Sequence, residues 1–388
     1  YGVIGLHRVV REHGPDRPIR ARKSLFMLHG GGVDFVGSFM PSTQLDYMPV
    51  ENCLPIFLAQ NDIDVWGIDM AWTFIPGDIT DFSFAIDWGM QREIDDLGAG
   101  IAIARFVRLF TGNGWRKMDL LGWSMGEAKG YAYLNEESQR PPGHRHIKGF
   151  IPIDSAVRTG LDEVEEFTCA GYEALMAERE NGVYVNSDGT LAQFIAYLAA
   201  TDPDGDSPVF PGFTNMQVVL SALTLTGPVL GSYPPHFHLL AGVFEEDLVP
   251  IGYQYVDFEF GVDFYASWKP YQPNLIFADI NAMGCPDLDV PYEQHFDDIT
   301  VPIFYVAPAG GSGALGEYMA TQVGSDDFQS LIVSNNPEPL FDIGHVDIFT
   351  GYIGIDLPAL MWQPILDWML EHRSADHEQA ADSAVVMD

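Results

Sequence analysis

The sequence has very little positive charge. Its 388 residues include 19 lysines and arginines against 55 aspartates and glutamates, which gives a formal net charge of −36. Such a charge repels nucleic acid and anionic membranes, so we expect neither as a partner. A surface rich in carboxylates and poor in lysine suits high salt, where screening weakens self-repulsion, but an ordinary acidic protein has the same composition.

Cysteines and long apolar runs are also scarce. Cys53, Cys169 and Cys285 are odd in number and widely spaced. This spacing indicates neither a disulfide framework nor a zinc site, so we predict that each is a small buried apolar residue. Polar residues interrupt the longest apolar stretch, around Val218–Leu230, and we therefore predict no membrane span. The pattern predicts a soluble protein and leaves a cytoplasmic or secreted location open.

Motifs that bind metals or phosphate are missing from the sequence. It contains no HExxH, paired CxxC or Walker A pattern. The glycine-rich segment Gly310–Gly313 lacks the Lys-Ser/Thr of a phosphate loop, so we predict a turn there. The two His-x-His pairs have no third ligand beside them. We therefore expect neither a metal ion nor an organic cofactor.

What the sequence does contain is a regular alternation of short apolar runs and helical patterns. This alternation predicts an α/β fold with a mostly parallel central sheet flanked by helices. The predicted strands cover residues 24–28, 64–68, 118–121, 148–153, 301–306 and 331–334. The predicted helices run from about 94 to 112, from 127 to 137 and from 357 to 372.

The alternation stops in the middle of the chain. Residues 157–298 are rich in aromatic residues, proline and glycine, and we predict that they form a large inserted cap. The core would then consist of residues 1–156 and 299–373, followed by a polar, mobile tail at 374–388. The aromatic content of the cap suits an apolar or aromatic substrate pocket, and it suits packing within the cap equally well.

The strongest motif is Gly-Trp-Ser-Met-Gly at residues 122–126. It fits the G-x-S-x-G elbow, a tight turn from a strand into a helix that exposes a serine. The apolar strand before it and the helical pattern after it match that context, which favours Ser124 as a nucleophile over an ordinary β-to-α turn. The N-terminus of the following helix would stabilise negative charge beside the serine.

A second motif, His-Gly-Gly-Gly at residues 29–32, follows an apolar strand. In elbow enzymes such a loop gives one backbone N–H to the oxyanion, and the residue after the nucleophile gives the other. We therefore predict Met125 and either Gly31 or Gly32 as oxyanion donors, with Gly31 favoured. A flexible loop that needs positive φ angles is the alternative.

Three further residues are predicted to line the substrate site. His29 begins the glycine loop, Trp123 precedes the nucleophile, and Tyr233 belongs to the aromatic cap. Trp123 could equally well pack against the cap.

His345 is the predicted general base. It lies between the last predicted strand and the closing helix, where a loop can reach a serine on the neighbouring strands. The other histidines considered lie in the predicted cap or near and beyond the end of the closing helix: His236, His238, His295, His372 and His377.

The acid that orients this base is less obvious. The loop after residues 301–306 has no carboxylate before Glu317, whereas the preceding strand ends at Asp154. We predict Asp154, because a carboxylate there can approach the same histidine from the neighbouring strand. Capping of the next segment is its alternative role. Glu317, Asp298 and Asp347 remain alternative acids.

With these motifs the chain resembles the α/β-hydrolase superfamily, in particular its capped serine esterases, lipases and lactonases. The resemblance covers about residues 20–156 and 299–373 and includes the chain order serine, acid, histidine. It implies cleavage of an ester or lactone of a hydrophobic or aromatic small molecule through an acyl-enzyme on Ser124. An acyltransferase with the same intermediate and a ligand-binding protein without turnover are the alternatives. Aromatic surface on the cap would allow a homodimer.

Overall fold

The computed structural model describes residues 2–21, 23–230 and 233–372. The tail predicted at 374–388 and His377 lie outside these residues. The strands are β1 (Gly5–Val9), β2 (Lys23–Leu28), β3 (Ile63–Asp69), β4 (Met118–Trp123), β5 (Ile147–Ile153), β6 (Val185–Asn186), β7 (Gly242–Phe244), β8 (Pro250–Tyr253), β9 (Gln272–Pro273), β10 (Ile303–Pro308) and β11 (Phe328–Val333).

Seven of the strands in the described part of the chain form one central sheet, in the order β1-β3-β2-β4-β5-β10-β11. β1 is antiparallel to β3, and the other neighbouring pairs are parallel. The predicted fold class, a mostly parallel sheet flanked by helices, is therefore confirmed. Because parallel strands share one direction, the carboxyl ends of β2, β4, β5 and β10 lie at the same edge of the sheet.

The centre of the sheet is buried on both faces, whereas the edge strands β1 and β11 are partly exposed. β3, β4 and β10 are buried along their whole length, as expected for parallel strands that are covered by helices on each side. Successive side chains of β2 alternate between two apolar clusters, with Leu25 and Met27 in one and Phe26 and Leu28 in the other. The strands that hold the site are thus fixed by packing on two sides.

Helices cover both faces of this sheet, and others lie in the segment between β5 and β10. They are α1 (Phe35–Phe39), α2 (Leu54–Gln60), α3 (Met90–Phe110), α4 (Met125–Ser138), α5 (Asp162–Glu180), α6 (Asp188–Thr201), α7 (Asn215–Thr224), α8 (Thr226–Leu230), α9 (Phe260–Ala266), α10 (Asn274–Gly284), α11 (Glu317–Ala320), α12 (Asp347–Thr350) and α13 (Gln363–Glu371), which a π-helical turn at Pro358–Trp362 precedes. In the described ranges, none of these helices has the length and apolarity needed to cross a bilayer.

The chain between β5 and β10, residues 154–302, is called the cap segment below. It contains helices α5–α10 and two small antiparallel sheets, one formed by β6 and β9 and the other by β7 and β8. Whether it is a separate domain with the boundaries 157–298 stays a prediction.

The prediction for two of the cysteines is wrong. Cys169 in α5 and Cys285, which follows α10, form a disulfide with a Cα–Cα distance of 4.8 Å. They are 116 residues apart in the chain, and the packing of α5 against α10 brings them together. Sequence spacing carries no record of this approach. Cys53 is the buried free cysteine that the sequence indicated.

We expect the disulfide to stabilise the folded protein, because it closes a long loop in the unfolded chain. Replacing both Cys169 and Cys285 by alanine should lower the free energy of unfolding by roughly 2–4 kcal/mol, measured by urea denaturation. Cys53→Ala is the control for loss of a thiol outside the bridge. An unchanged denaturation midpoint in the double variant would contradict the expectation.

Candidate active site

Ser124 lies in the tight turn between β4 and α4. Its backbone has φ 57° and ψ −124°, a sparsely populated conformation for a residue with a side chain. The two flanking glycines make the turn possible. A side-chain carbon at Gly122 would overlap the backbone of Gly126, and one at Gly126 would lie 2.5 Å from the Leu28 carbonyl oxygen. The turn therefore raises the Ser124 side chain above the sheet edge, where it is half-buried.

The glycine loop at residues 30–32 lies against this turn. A side-chain carbon at Gly30 would lie 3.2 Å from Cβ of Ser124, and one at Gly31 would lie 3.2 Å from Cε of Met125. Gly32 has a φ of +79°. The structure thus brings the predicted loop donors and the predicted nucleophile together, although their action on an oxyanion stays a prediction.

His29 is held inside the protein. Only 1% of its surface is exposed. Its Nε2 accepts the backbone N–H of Met70, and its Nδ1 donates to the Gly30 carbonyl. Burial, together with the charge of Lys129, lowers the pKa of His29 to about 4, so the ring is neutral at pH 7. Both ring nitrogens therefore anchor the glycine loop, and a contact with substrate remains a prediction.

Asp154 and His345 form a direct hydrogen bond. Nδ1 of the imidazole lies 2.5 Å from Oδ2 of the carboxylate, with 7% and 1% of the two residues exposed. Asp154 follows β5 with a φ of 51°, and His345 lies in the loop between β11 and α12. Since Nδ1 keeps its proton and donates it in a hydrogen bond to the carboxylate, the Nε2 lone pair is left free to accept a proton.

The glycine-rich turn after β10 holds the acid. The backbone N–H of Ser312 donates to Oδ1 of Asp154 at 2.7 Å. A side-chain carbon at Gly311 would overlap the same carboxylate, so only glycine leaves room for it. This turn, which has no carboxylate of its own, thus faces the Asp154 carboxylate at the end of the neighbouring strand β5. The sequence predicted the turn but gave no signal for this contact.

Trp123 connects the nucleophile turn with the imidazole. Its indole stacks on the His345 ring with the centroids 4.9 Å apart and an interplanar angle of 28°. Phe237 of the cap segment contacts the same imidazole, at 5.3 Å between centroids. The backbone N–H of His345 donates to the carbonyl of His238. The imidazole is therefore positioned by the core and by the cap segment together.

Glu127, in the first turn of α4, is completely buried close to Asp154. Its Oε2 accepts the backbone N–H of Ser155 at 3.1 Å, and its Oε1 has no partner among the described residues. Burial raises the pKa of Glu127 well above its usual value, and the charge of Asp154 raises it further. The charged form of Glu127 is therefore disfavoured in the folded protein.

A second buried acid, Asp347, fixes the loop that carries the histidine. Its Oδ2 accepts the backbone N–H groups of Gly344 and Ala241, and its Oδ1 has no partner in the described ranges. Burial raises the pKa of Asp347 to about 7. Asp347 thus ties the loop to the cap segment and does not touch the imidazole.

The other predicted residues lie elsewhere. Tyr233 donates its hydroxyl to Glu163 of α5 within the cap segment, and its contact with substrate stays a prediction. Oδ2 of Asp298 accepts a hydrogen bond from the side-chain amide of Gln139 and lies 3.6 Å from Nδ1 of His295. In the described part of the chain, no group of three or more His, Cys, Asp or Glu side chains could hold a metal ion.

We expect Glu127→Gln to be tolerated. Glutamine is neutral in the folded and unfolded states and keeps an acceptor for the Ser155 N–H, whereas burial disfavours the charged form of wild-type Glu127. The free energy of unfolding should therefore stay equal or rise.

Glu127→Ala is the comparison. It leaves a cavity and an unpaired N–H, which should cost roughly 2–4 kcal/mol in denaturant unfolding. Equal destabilisation by both changes would mean that Glu127 is buried as a charge.

The pH dependence of stability should reveal Asp347. Its pKa is about 7 when folded and 3.8 when unfolded, so the stability it contributes is complete below pH 4 and is lost as the pH rises through 7. Between pH 4 and 8 the wild type should lose a few kcal/mol relative to Asp347→Asn, which keeps an acceptor but does not ionise. Parallel curves of unfolding free energy against pH would show that Asp347 is not the titrating group.

No protein-family profile and no curated protein matches this sequence. Solved structures do match it. A candidate lipase from Sulfolobus solfataricus is 18% identical with a TM-score of 0.58, over 95% of this chain and 94% of that one. A thermophilic esterase from Thermogutta terrifontis is 13% identical with a TM-score of 0.47, over 95% and 93%. A bromoperoxidase from Bacillus anthracis is 10% identical with a TM-score of 0.48, over 95% of both chains. The likeness to the first of these, together with the strand order and the serine turn, shows that the chain has the α/β-hydrolase fold.

Proposed function

We propose that the protein is a serine hydrolase that cleaves a carboxylic ester or lactone of a hydrophobic or aromatic small molecule through an acyl-enzyme on Ser124. One observation carries the proposal: the buried Asp154–His345 hydrogen bond lies next to the turn that holds Ser124 at the N-terminus of a helix, because the imidazole stacks on Trp123 and the Ser124 N–H donates to the carbonyl of Ile153, the residue before Asp154. These are the parts that acyl transfer to a serine requires. The lipase and esterase among the structural neighbours agree with this chemistry.

In the proposed first step, Oγ of Ser124 attacks the ester carbonyl carbon while Nε2 of His345 takes the hydroxyl proton. Asp154 accepts the hydrogen bond from Nδ1 and so holds the tautomer whose Nε2 can act as a base. The electron pair of the carbonyl π bond moves onto the carbonyl oxygen, which becomes an oxyanion. The backbone N–H groups of Met125 and Gly31 or Gly32 are the proposed donors to it.

In the second half of the reaction, the tetrahedral intermediate collapses and the bond to the alcohol oxygen breaks. The leaving alcohol takes the proton from Nε2 of His345, and an ester on Ser124 remains. Water then attacks this ester as Nε2 of His345 removes its proton. The bond from the acyl carbon to Oγ of Ser124 breaks as Nε2 gives that proton to Oγ, which releases the acid and restores the serine. Every proton passes through one nitrogen, which explains why the orientation of this ring matters.

Labelling with a small uncharged fluorophosphonate tests the nucleophile. We expect a single adduct on Ser124, located by peptide mass spectrometry, and no adduct in Ser124→Ala. His345→Ala should abolish labelling, and Asp154→Asn should lower kcat/KM for p-nitrophenyl acetate by roughly 10³–10⁴-fold, because the wrong imidazole tautomer is then favoured.

Ser330→Ala is the matched control, because this serine is exposed on the edge strand β11. It should label and turn over as the wild type does. A protein that is folded, as judged by thermal unfolding, but neither labels at Ser124 nor hydrolyses p-nitrophenyl acetate would contradict the proposal.

A further inference from the structure

The cap segment contains a cavity of about 640 Å³. This volume lies in the usual range of small-molecule sites. Helices α6, α7 and α9 form most of its wall, with apolar side chains such as Ala192, Ile195 and Val218. No residue of the proposed Ser124–His345–Asp154 site lines it. The sequence predicted an apolar pocket or internal packing in this segment, and the structure has both.

The cavity and the glycine loop share a wall. Trp268 lines the cavity, and its indole also lies over Gly32, where a side-chain carbon would be 3.0 Å from Cδ2. The neighbouring residue fixes this arrangement. The backbone N–H of Lys269 donates to the Gly32 carbonyl at 2.6 Å, and its ammonium group pairs with Asp34 at 2.5 Å. One indole ring thus separates the cavity from the proposed oxyanion donors.

The charges around the cavity select for a neutral ligand. Asp188 and Asp247 are among its lining residues, and no lysine or arginine in the described ranges lines it. The amide oxygen of Gln217 is already used, because it accepts the N–H of Thr214 in the cap of α7. A carboxylate or phosphate ligand would meet two acids and no cation, whereas an uncharged apolar chain would bury its surface without leaving a charge unpaired.

We infer that this cavity binds the apolar chain of a neutral, long-chain ester whose carbonyl lies at Ser124, with Trp268 at the boundary between the chain and the reacting group. The inference rests on the proposed ester hydrolysis and adds the substrate class to it.

Filling the cavity tests the inference. Ala192→Phe on α6 and Ser221→Phe on α7 place a ring in the cavity from two different helices. Each should lower kcat/KM for p-nitrophenyl decanoate at least tenfold and leave kcat/KM for p-nitrophenyl acetate within about twofold, because only the longer chain reaches the cavity. Trp268 is not used, because its substitution would disturb the glycine loop as well.

Ala200→Phe is the matched control, since Ala200 lies on the exposed side of α6 and does not line the cavity. Its kcat/KM for both esters should equal that of the wild type. Thermal unfolding shows which variants are folded. A folded Ala192→Phe or Ser221→Phe protein with the wild-type ratio of decanoate to acetate kcat/KM would overturn the inference.

A binding assay separates failure of this inference from failure of the proposed function. N-phenyl-1-naphthylamine, a neutral apolar fluorophore, should bind the wild type, be displaced by ethyl decanoate but not by ethyl acetate, and bind at least tenfold more weakly to the filled variants. This assay measures binding and does not require ester hydrolysis. Displacement of the fluorophore by the two esters can be measured on the wild type alone. If no ester is hydrolysed but this pattern holds, the cavity binds apolar chains and the proposed hydrolysis is wrong. Wild-type displacement by both esters alike, or equal binding to the filled variants, would overturn the inference whether or not esters are hydrolysed.

Discussion

The hydrogen bond between Asp154 and His345 joins two parts of the chain that are far apart in the sequence. The carboxylate comes from the end of β5, and the imidazole comes from a loop 191 residues later. They meet because β5, β10 and β11 lie side by side in a parallel sheet, so that their carboxyl ends and the loops beyond them share one edge. The turn after β10 leaves space for the carboxylate at Gly311 and donates to it from Ser312. Sheet order therefore decides the chemistry that is available at this edge.

Burial of acids around this bond follows one pattern. Glu127 and Asp347 each accept backbone N–H groups with one carboxyl oxygen and leave the other without a partner in the described ranges. Burial raises the pKa of both residues, to about 7 for Asp347, so that the charged form of each is disfavoured. The protein thus uses acids to fix backbone around Asp154 and His345 at positions where burial opposes a further full charge. This is one way in which a chain of net charge −36 can bury carboxyl groups at all.

The cap segment is joined to the core at the two sides of the site. On one side, Phe237 and the His238 carbonyl contact His345. On the other, Trp268 and Lys269 rest on Gly32. Movement of the cap segment would therefore change the surroundings of the proposed base and of the proposed oxyanion donors together. The disulfide between Cys169 and Cys285 restrains α5 and α10 within the same segment.

The sequence by itself determined the local features. Apolar runs identified the parallel strands, and the spacing of glycines around Ser124 indicated the turn, because steric fit at a tight turn depends on adjacent residues only. His345 was predicted from its position in the loop after the last strand, and Asp154 from its position at the end of a strand. The tertiary structure decided what depends on distant neighbours: the pairing of β1 with β3, the Cys169–Cys285 bridge, the partner of Asp154 in the glycine turn, and the raised pKa values of Glu127 and Asp347. Desolvation and long-range pairing are properties of a folded environment, and no spacing of residues along a chain encodes them directly.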